Sequence, residues 1–372
     1  MEIPTPCYIF DLDRLSKNLQ RASLLKAQTS CRILLALKGF STECLFPYLF
    51  EYLDGISSSG AFEAQLGKQF GQFVSTFSPA YDEASFSSIL TNSDIIVFNS
   101  IHQFHDFGSL AIQRKKSCGI RINPQYSELP NDFDANPCKR FSHLGVLSQD
   151  LPFSEFGKGK IEGIHLHTMC GQNADAMART IQRVVDICSP VFDKLSWINL
   201  GGGQLYGADD YDLKLAIRCI NELANTSSAS IILEPCEGLL INCGYLVTTV
   251  IDIIKNEIDI AILDSSAVCH LSDAVYRGWK RDVIGGGEPG DYPYNIRLAG
   301  RSCFAGDYFG DYSFPKPLKR GDKIIFVDTA TYSAVKSCMF NGLPLPSIAV
   351  YSKRKGIKVI KQYGYEVFYR TL

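Results

Sequence analysis

The sequence lacks several features that mark whole classes of proteins. Its 372 residues carry 37 Lys and Arg against 39 Asp and Glu, so no excess of positive charge indicates a nucleic-acid-binding protein. The most apolar window, residues 239–254, is interrupted by polar residues and is shorter than the ~20 residues of a membrane span. The N-terminal segment contains Asp11, Asp13 and Arg14 and no apolar region of a secretory signal. These absences predict a cytoplasmic protein that binds neither nucleic acid nor membranes.

Cysteine is plentiful, but its pattern does not indicate a disulfide framework. The chain has 13 cysteines, an odd number, and no CxxC pair. We therefore predict reduced thiols, as expected in a cytoplasmic protein. The apolar fraction of 46% and the charged fraction of 20% indicate a folded chain with a sizeable core. The length predicts two domains, or one large barrel with an appendage.

Short apolar runs alternate with amphipathic helical segments through the first two-thirds of the chain. Asp11, Asn173 and Asp209 precede such segments and are predicted to cap helices. Strands that alternate with helices predict a parallel sheet, and eight such units predict a (β/α)8 TIM barrel, with a doubly wound open sheet as the alternative. The eight runs are Ile33–Leu37, Gly55–Ser58, Phe73–Phe77, Asp94–Phe98, Cys118–Ile122, Glu162–His167, Leu195–Leu200 and Ser230–Leu233.

The helical periodicity stops near Pro235, and runs rich in Val, Ile, Phe and Tyr follow. Turn segments such as residues 319–322 separate these runs. This pattern predicts a second, C-terminal all-β domain, a β-sandwich or a β-barrel.

In a TIM barrel the chemistry lies at the carboxyl ends of the strands. The first run ends at Lys38, the sixth at His167, the seventh at the glycine triplet 201–203, and the eighth at Glu234. A partly desolvated lysine favours Schiff-base chemistry, and a glycine loop before a helix favours phosphate binding. Each feature also has a structural interpretation: a snorkelling lysine, a tight turn, or a salt bridge at the barrel rim.

Other candidates are less specific when they are taken alone. His165 and His167 form a His-x-His pair, but no obvious third ligand accompanies them, so we predict no metal site. Cys303 could donate a proton to a carbanion, although buried packing is the usual role of a cysteine. The segment Tyr276–Arg281 places three cations around an aromatic residue and suits either a solvated loop or an anionic substrate.

Six segments together resemble the carboxynorspermidine/carboxyspermidine decarboxylase family of alanine-racemase-like, pyridoxal-phosphate-dependent decarboxylases. The resemblance extends over essentially the whole chain and keeps the order of the motifs. The segments are residues 4–9 (PTPCYI), 35–40 (LALKGF), 201–203 (GGG), 234–235 (EP), 302–307 (SCFAGD) and 340–342 (FNG).

This resemblance implies pyridoxal 5'-phosphate as the cofactor and a homodimer with shared active sites. It implies a barrel over residues 12–235 and an all-β domain over residues 1–11 and 236–372. Lys38 would carry the Schiff base, and Cys303 would reach the active site of the partner subunit and protonate the substrate carbon. The implied cofactor-binding residues are Lys38, His167, Arg140, Gly201, Gly202, Gly203, Glu234 and Tyr332, and the implied substrate-binding residues are Asp307, His270, Asp273 and Arg277.

Departures from the family pattern lie on the substrate side. Gln204 follows the glycine triplet where the family usually has histidine, Val268 stands where a glutamate is frequent, and Thr331 replaces a usual histidine. With these substitutions and the basic segment Tyr276–Arg281, the chain resembles the decarboxylase domain of microcin C maturation proteins. The main expectation is therefore decarboxylation of a 3-amino-3-carboxypropyl group on a peptidyl nucleotide, in antibiotic biosynthesis. The alternatives are carboxynorspermidine or carboxyspermidine decarboxylation in polyamine biosynthesis, a racemase, and a non-catalytic cofactor-binding protein.

Overall fold

The computed structural model describes residues 3–372, so residues 1 and 2 of the expected all-β domain lie outside it. Contacts divide the chain into two units. The barrel unit comprises Asn18–Lys38 and Leu45–Leu239. The sheet unit comprises the described residues up to Lys17, Gly39–Cys44 and Leu240–Leu372. The sheet unit thus takes in residues 12–17 and Gly39–Cys44, which the expected boundaries assign to the barrel, and the barrel unit takes in residues 236–239.

The barrel unit is a closed ring of eight parallel strands, which confirms the predicted TIM barrel. Each strand pairs with its two neighbours, and the fourth strand closes the ring by pairing with the fifth. Buried residues occupy both faces of strands such as Ile95–Phe98, as expected for a parallel sheet covered by helices. The strands are Arg32–Ala36, Gly55–Ser58, Phe73–Phe77, Ile95–Phe98, Ser117–Asn123, Ile161–His165, Trp197–Asn199 and Ser230–Leu233.

Polar caps begin several of the barrel helices. Asp11 accepts hydrogen bonds from the N–H groups of Asp13 and Arg14, as predicted. Asn173 caps its helix as predicted, whereas the next helix is capped by Asp212 instead of Asp209. The helices are Leu12–Thr29, Phe46–Leu49, Ala61–Gln69, Glu83–Asn92, Ile101–Gln113, Ala174–Cys188, Leu213–Ser227 and Glu237–Leu240.

Trp197 fills the interior of the barrel. Its ring packs with Leu34, Val97 and Ile232 in one buried cluster. A Cβ atom added to Gly163 would lie 2.1 Å from this ring, so glycine is needed there to admit the indole. The interior around Trp197 is a packed core, as expected for a TIM barrel.

The sheet unit contains a mixed sheet of eight strands, which confirms the predicted second, β-rich domain. Its first strand, Cys7–Asp11, pairs antiparallel with Gly244–Asn256 and parallel with Ser347–Ser352. The N-terminal strand therefore belongs to the sheet, as the resemblance implies. The other strands are Ile258–Leu263, Tyr294–Ala299, Tyr308–Phe314, Lys323–Val327 and Gly356–Lys361, and the short helices are Ala267–His270, Ser272–Tyr276 and Tyr365–Tyr369.

The described residues contain no helix that is long and apolar enough to cross a membrane.

Candidate active site

A small cavity lies where the carboxyl ends of the barrel strands meet. It brings together four of the positions predicted from the sequence, namely Lys38, His167, Gly202 and Glu234. The remaining lining residues are Ala36, Ser57, Ser58, Ser59, Phe77, Arg121 and His165.

Lys38 lies two residues beyond the first barrel strand, and its side chain is accessible to solvent within the cavity. Protein atoms nevertheless crowd the ammonium group. This burial, followed by the positive charge of Arg121, lowers the pKa of Lys38, while Glu234 opposes the shift. A lysine with a lowered pKa supplies more of the neutral amine, which is the nucleophilic form.

Glu234 directly follows the eighth strand and is held by neighbouring polar groups. Its Oε1 accepts a hydrogen bond from Asn199 Nδ2 at 2.7 Å, and its Oε2 lies 3.5 Å from His165 Nε2. Burial raises the pKa of Glu234, and the hydrogen bonds from Asn199 and Ser57 oppose that shift. The site thus contains a buried acid whose ionised form depends on donated hydrogen bonds.

Both histidines of the His-x-His pair are neutral at physiological pH. Burial, followed by the nearby cations Lys38 and Arg121, lowers the pKa of each ring. His167 Nδ1 accepts a hydrogen bond from the N–H of Gly202 at 3.1 Å, so the proton of its neutral ring resides on Nε2. His165 lies deeper and contacts the Phe77 ring, with centroids 5.4 Å apart.

The glycine triplet is required by close backbone contacts. A Cβ atom on Gly201, Gly202 or Gly203 would lie 2.4 Å or less from a carbonyl oxygen of a neighbouring loop. Gly201 and Gly203 also adopt positive φ angles of 66° and 97°. The N–H groups of Gly201 and Gly202 donate to Asn199 Oδ1 and to His167. The N–H groups of these two glycines therefore have internal acceptors within the barrel unit.

The helix after the glycine triplet begins slightly later than the predicted cap at Asp209 implies. The next helix begins only at Leu213, where Asp212 accepts a hydrogen bond from the N–H of Leu215. The loop after Gly203 instead pairs with another loop, through hydrogen bonds between Gln172 and the carbonyl of Gly203 and between Leu205 and the carbonyl of Gln172. These hydrogen bonds hold the residues directly after the triplet in a loop.

Arg121 is absent from the sequence-based predictions but lines the cavity. Its guanidinium group lies 4.5 Å from the centroid of the Phe77 ring, and burial lowers its pKa only to about 10, so it stays charged at neutral pH. Arg140, which was the predicted arginine, is exposed and lies over the exposed Phe141 ring at 4.5 Å. The available signal was the position of Arg121 within the apolar run Cys118–Ile122.

In the sheet unit, Cys303 and Asp307 lie on one loop. Cys303 is exposed, and its N–H donates to Asn341 Oδ1 at 2.7 Å. Asp307 is buried, and its two carboxylate oxygens accept hydrogen bonds from the N–H groups of Val268 and Ser302, each at 3.1 Å. Asp307 therefore fastens the Cys303 loop to the helix Ala267–His270.

The other predicted residues of the sheet unit have internal partners. His270 is buried, and its Nδ1 accepts a hydrogen bond from the N–H of Ser266 at 3.2 Å. Asp273 forms ion pairs with Lys336 at 2.6 Å and with Arg277 at 3.8 Å.

Tyr332 has a positive φ of 54°, and its N–H donates to the carbonyl of Gly39 at 2.9 Å. Gly39 is the residue after Lys38 in the chain. This hydrogen bond fastens the segment that follows Lys38 to the loop that carries Tyr332.

Residues 7–330 match the sequence model of a family described as pyridoxal-dependent decarboxylase, C-terminal sheet domain. The chain belongs to the pyridoxal-dependent decarboxylases. It is 33% identical to a carboxynorspermidine/carboxyspermidine decarboxylase of Campylobacter jejuni, over 98% of this chain and 97% of that protein. It is also 33% identical to a carboxyaminopropylagmatine decarboxylase of Synechocystis, over 100% of this chain and 96% of that protein.

Solved structures agree with this assignment. The crystal structure of carboxynorspermidine decarboxylase from Campylobacter jejuni, complexed with norspermidine, superimposes with a TM-score of 0.89 at 32% identity and covers 100% of both chains. A diaminopimelate decarboxylase from Helicobacter pylori superimposes with a TM-score of 0.85 at 18% identity, over 99% of this chain and 97% of that one, and shares the fold. The protein is therefore a decarboxylase of the carboxynorspermidine/carboxyspermidine decarboxylase family, and its cofactor is pyridoxal 5'-phosphate.

Proposed function

We propose that the enzyme removes the carboxylate from a 3-amino-3-carboxypropyl group attached to a polyamine-type amine and leaves an aminopropyl group. The observation that carries this proposal is the likeness to two relatives whose names specify such substrates, each at 33% identity over nearly the full length. Both substrates carry the same reacting arm, and they differ in the amine to which it is attached. The reacting arm is thus the common element, and the distal amine is the variable one.

The charge pattern of the sheet unit also favours this substrate over the peptidyl nucleotide. The basic segment that suggested an anionic substrate has internal carboxylate partners. Arg277 pairs with Asp273, Lys280 lies 2.5 Å from Glu288, and Arg281 lies 3.4 Å from Asp328. A neighbouring carboxylate offsets part of the attraction of each cation for a phosphate group.

The donor set of the barrel cavity fits pyridoxal phosphate. The lowered pKa of the Lys38 amine suits covalent capture of the aldehyde carbon. The carboxylate of Glu234 suits a hydrogen bond from a protonated pyridine nitrogen, and the neutral ring of His167 suits stacking on the coenzyme. When bound, the coenzyme supplies the electron sink that decarboxylation requires.

The proposal includes a homodimer in which Cys303 of each subunit reaches the active site of the other. The Cys303 thiol is exposed on a loop that Asp307 and Asn341 hold in place, so it is available to a second copy of the chain. In this arrangement the thiol gives its proton to the substrate carbon that has lost the carboxylate. The loop of each subunit then serves the active site of the other.

The test is a side-by-side substrate comparison with the purified, coenzyme-loaded enzyme. The substrates are carboxynorspermidine, carboxyspermidine, carboxyaminopropylagmatine and a carboxyaminopropylated peptidyl nucleotide, with loss of one carbon dioxide followed by mass spectrometry. We expect turnover of at least one amine substrate and little of the nucleotide. Lys38→Ala is the control, since it removes the amine while leaving the barrel core intact. Efficient turnover of the nucleotide alone would overturn the proposal, and exchange of the α-hydrogen without carbon dioxide release would indicate a racemase.

A further inference from the structure

Asn199 joins two parts of the candidate active site through one buried amide. It is the last residue of the seventh barrel strand, and its side chain is completely buried. Its Oδ1 accepts the N–H of Gly201 at 2.9 Å, and its Nδ2 donates to Glu234 Oε1 at 2.7 Å. Burying an amide in a barrel interior costs free energy unless its polar atoms are bonded, and both atoms here are bonded to proposed cofactor-binding elements.

The two hydrogen bonds fix the orientation of the amide. The N–H of Gly201 can only donate, so it requires the oxygen of Asn199. The amide nitrogen must then face Glu234, and because this nitrogen only donates, the carboxyl group of Glu234 must accept. A third contact strengthens the unit, since the N–H of Glu234 donates to the carbonyl of Gly201 at 2.8 Å. Asn199, Gly201 and Glu234 therefore form a closed set of hydrogen bonds.

His165 is a further polar neighbour of Glu234, besides Ser57, Lys38 and Arg121, and it cannot replace Asn199. Its Nε2 lies 3.5 Å from Glu234 Oε2, which is too long for a strong hydrogen bond. Its ring is neutral because burial lowers its pKa, so it supplies no positive charge. Burial raises the pKa of Glu234, and the hydrogen bond from Asn199 is the largest opposing influence.

We propose that Asn199 is a positioning residue that keeps the Glu234 carboxylate ionised and aimed at the pyridine nitrogen of the coenzyme, in fixed register with the glycine loop. This inference rests on the role proposed above for Glu234. Asn199 itself touches neither the substrate nor the reacting atoms. It acts by donating a hydrogen bond to Glu234 Oε1 at 2.7 Å, beside the weaker influences of Ser57 and Lys38.

The decisive variant is Asn199→Asp. It keeps an oxygen for the N–H of Gly201 but replaces the donor facing Glu234 with a second carboxyl oxygen. Two carboxyl groups at 2.7 Å cannot both be ionised, so the pair shares one proton, and less negative charge remains on Glu234 to face the ring nitrogen. Ser227→Ala is the matched control, because Ser227 is also buried in the barrel unit and bonds only the backbone of its own helix end.

The readout is the preference for pyridoxal phosphate over its 1-deaza analogue, in which a C–H group replaces the ring nitrogen. The dissociation constants of both compounds are measured for each protein by titration of the apoenzyme. We expect the wild type and Ser227→Ala to prefer the natural coenzyme, and Asn199→Asp to lose on the order of tenfold of that preference, since a hydrogen bond to a charged group has about this strength. Purely structural damage would weaken the binding of both compounds equally and would leave the preference for the natural coenzyme unchanged.

The possible outcomes distinguish a failure of the role proposed for Asn199 from a failure of the role proposed for Glu234. If the wild type prefers the natural coenzyme and Asn199→Asp retains the full preference, the role of Asn199 is wrong and that of Glu234 stands. If the wild type shows no preference, Glu234 does not contact the ring nitrogen, and both assignments fail. A second measurement follows the visible absorbance band of the bound coenzyme as a function of pH. The pH at which this band changes should shift in Asn199→Asp and should be the same in Ser227→Ala as in the wild type.

Discussion

Asp307 provides a test of whether a predicted substrate-binding acid has a structural role. The side chain is 2% exposed, and its carboxylate accepts two backbone hydrogen bonds, from Val268 and Ser302. Asp307→Asn keeps the shape but can accept only one of them, because its amide nitrogen would face the second donor. The cost of one buried unpaired N–H and a weakened charged bond is about 2 kcal/mol in the free energy of unfolding. Asp307→Ala loses both bonds and should cost about 4 kcal/mol.

The assay is urea unfolding followed by circular dichroism, together with steady-state kinetics on the preferred substrate. Asp259→Asn is the control, since Asp259 is an exposed carboxylate of the same unit with only a 4.0 Å ion pair to Lys255, and its loss should change stability by less than ~0.5 kcal/mol. Turnover should fall with stability, because Asp307 holds the Cys303 loop. An Asp307→Asn enzyme with an unchanged unfolding midpoint and a strongly raised KM would refute the reasoning and restore the substrate-binding role.

Three further predictions concern other parts of the chain. Gly163→Ala places a Cβ atom 2.1 Å from the Trp197 ring and should lower barrel stability by ~1–3 kcal/mol, which thermal unfolding would detect; an unchanged midpoint would contradict the tight packing. Burial lowers the pKa of His270 from 6.5 to about 4, so the unfolded chain binds its proton more readily and stability should fall as the pH drops through that window, by ~3 kcal/mol from this residue. His270→Asn should flatten the pH profile of the unfolding free energy between these values, and an equally steep profile would disprove this source. Cys303→Ala should leave the unfolding midpoint unchanged, since the thiol is exposed, but should slow product formation in the coenzyme-loaded enzyme. Full activity of that variant would remove Cys303 from the proton transfer.

The sequence was most informative where strand order alone determines position. Lys38, His167, the glycine triplet and Glu234 follow four different strands, and the carboxyl ends of parallel strands in a barrel meet at one end. Recognising eight strand–helix units was therefore sufficient to predict that these residues converge. No knowledge of side-chain contacts was needed.

The missed residues depend on information that a strand sequence does not carry. Arg121 and Asn199 both lie within strands, and only the closed barrel shows that their side chains point into its interior. Arg140 was selected from a motif in a long loop, whose path is set by tertiary contacts instead of periodicity. The cap of the next helix was also misplaced, at Asp209 instead of Asp212, because both residues are aspartates and the sequence pattern alone does not choose between them.

The placement of the strand Cys7–Asp11 has a consequence for biosynthesis. This strand lies between Gly244–Asn256 and Ser347–Ser352, so both of its neighbours leave the ribosome long after it does. Residues of this strand that are buried in the folded protein, such as Cys7 and Ile9, therefore lack their packing contacts while the whole barrel is translated. We expect this segment of the nascent chain to need protection from aggregation during that interval. Folding of the sheet should therefore be the slow, late event, as expected when contacts join distant parts of a chain.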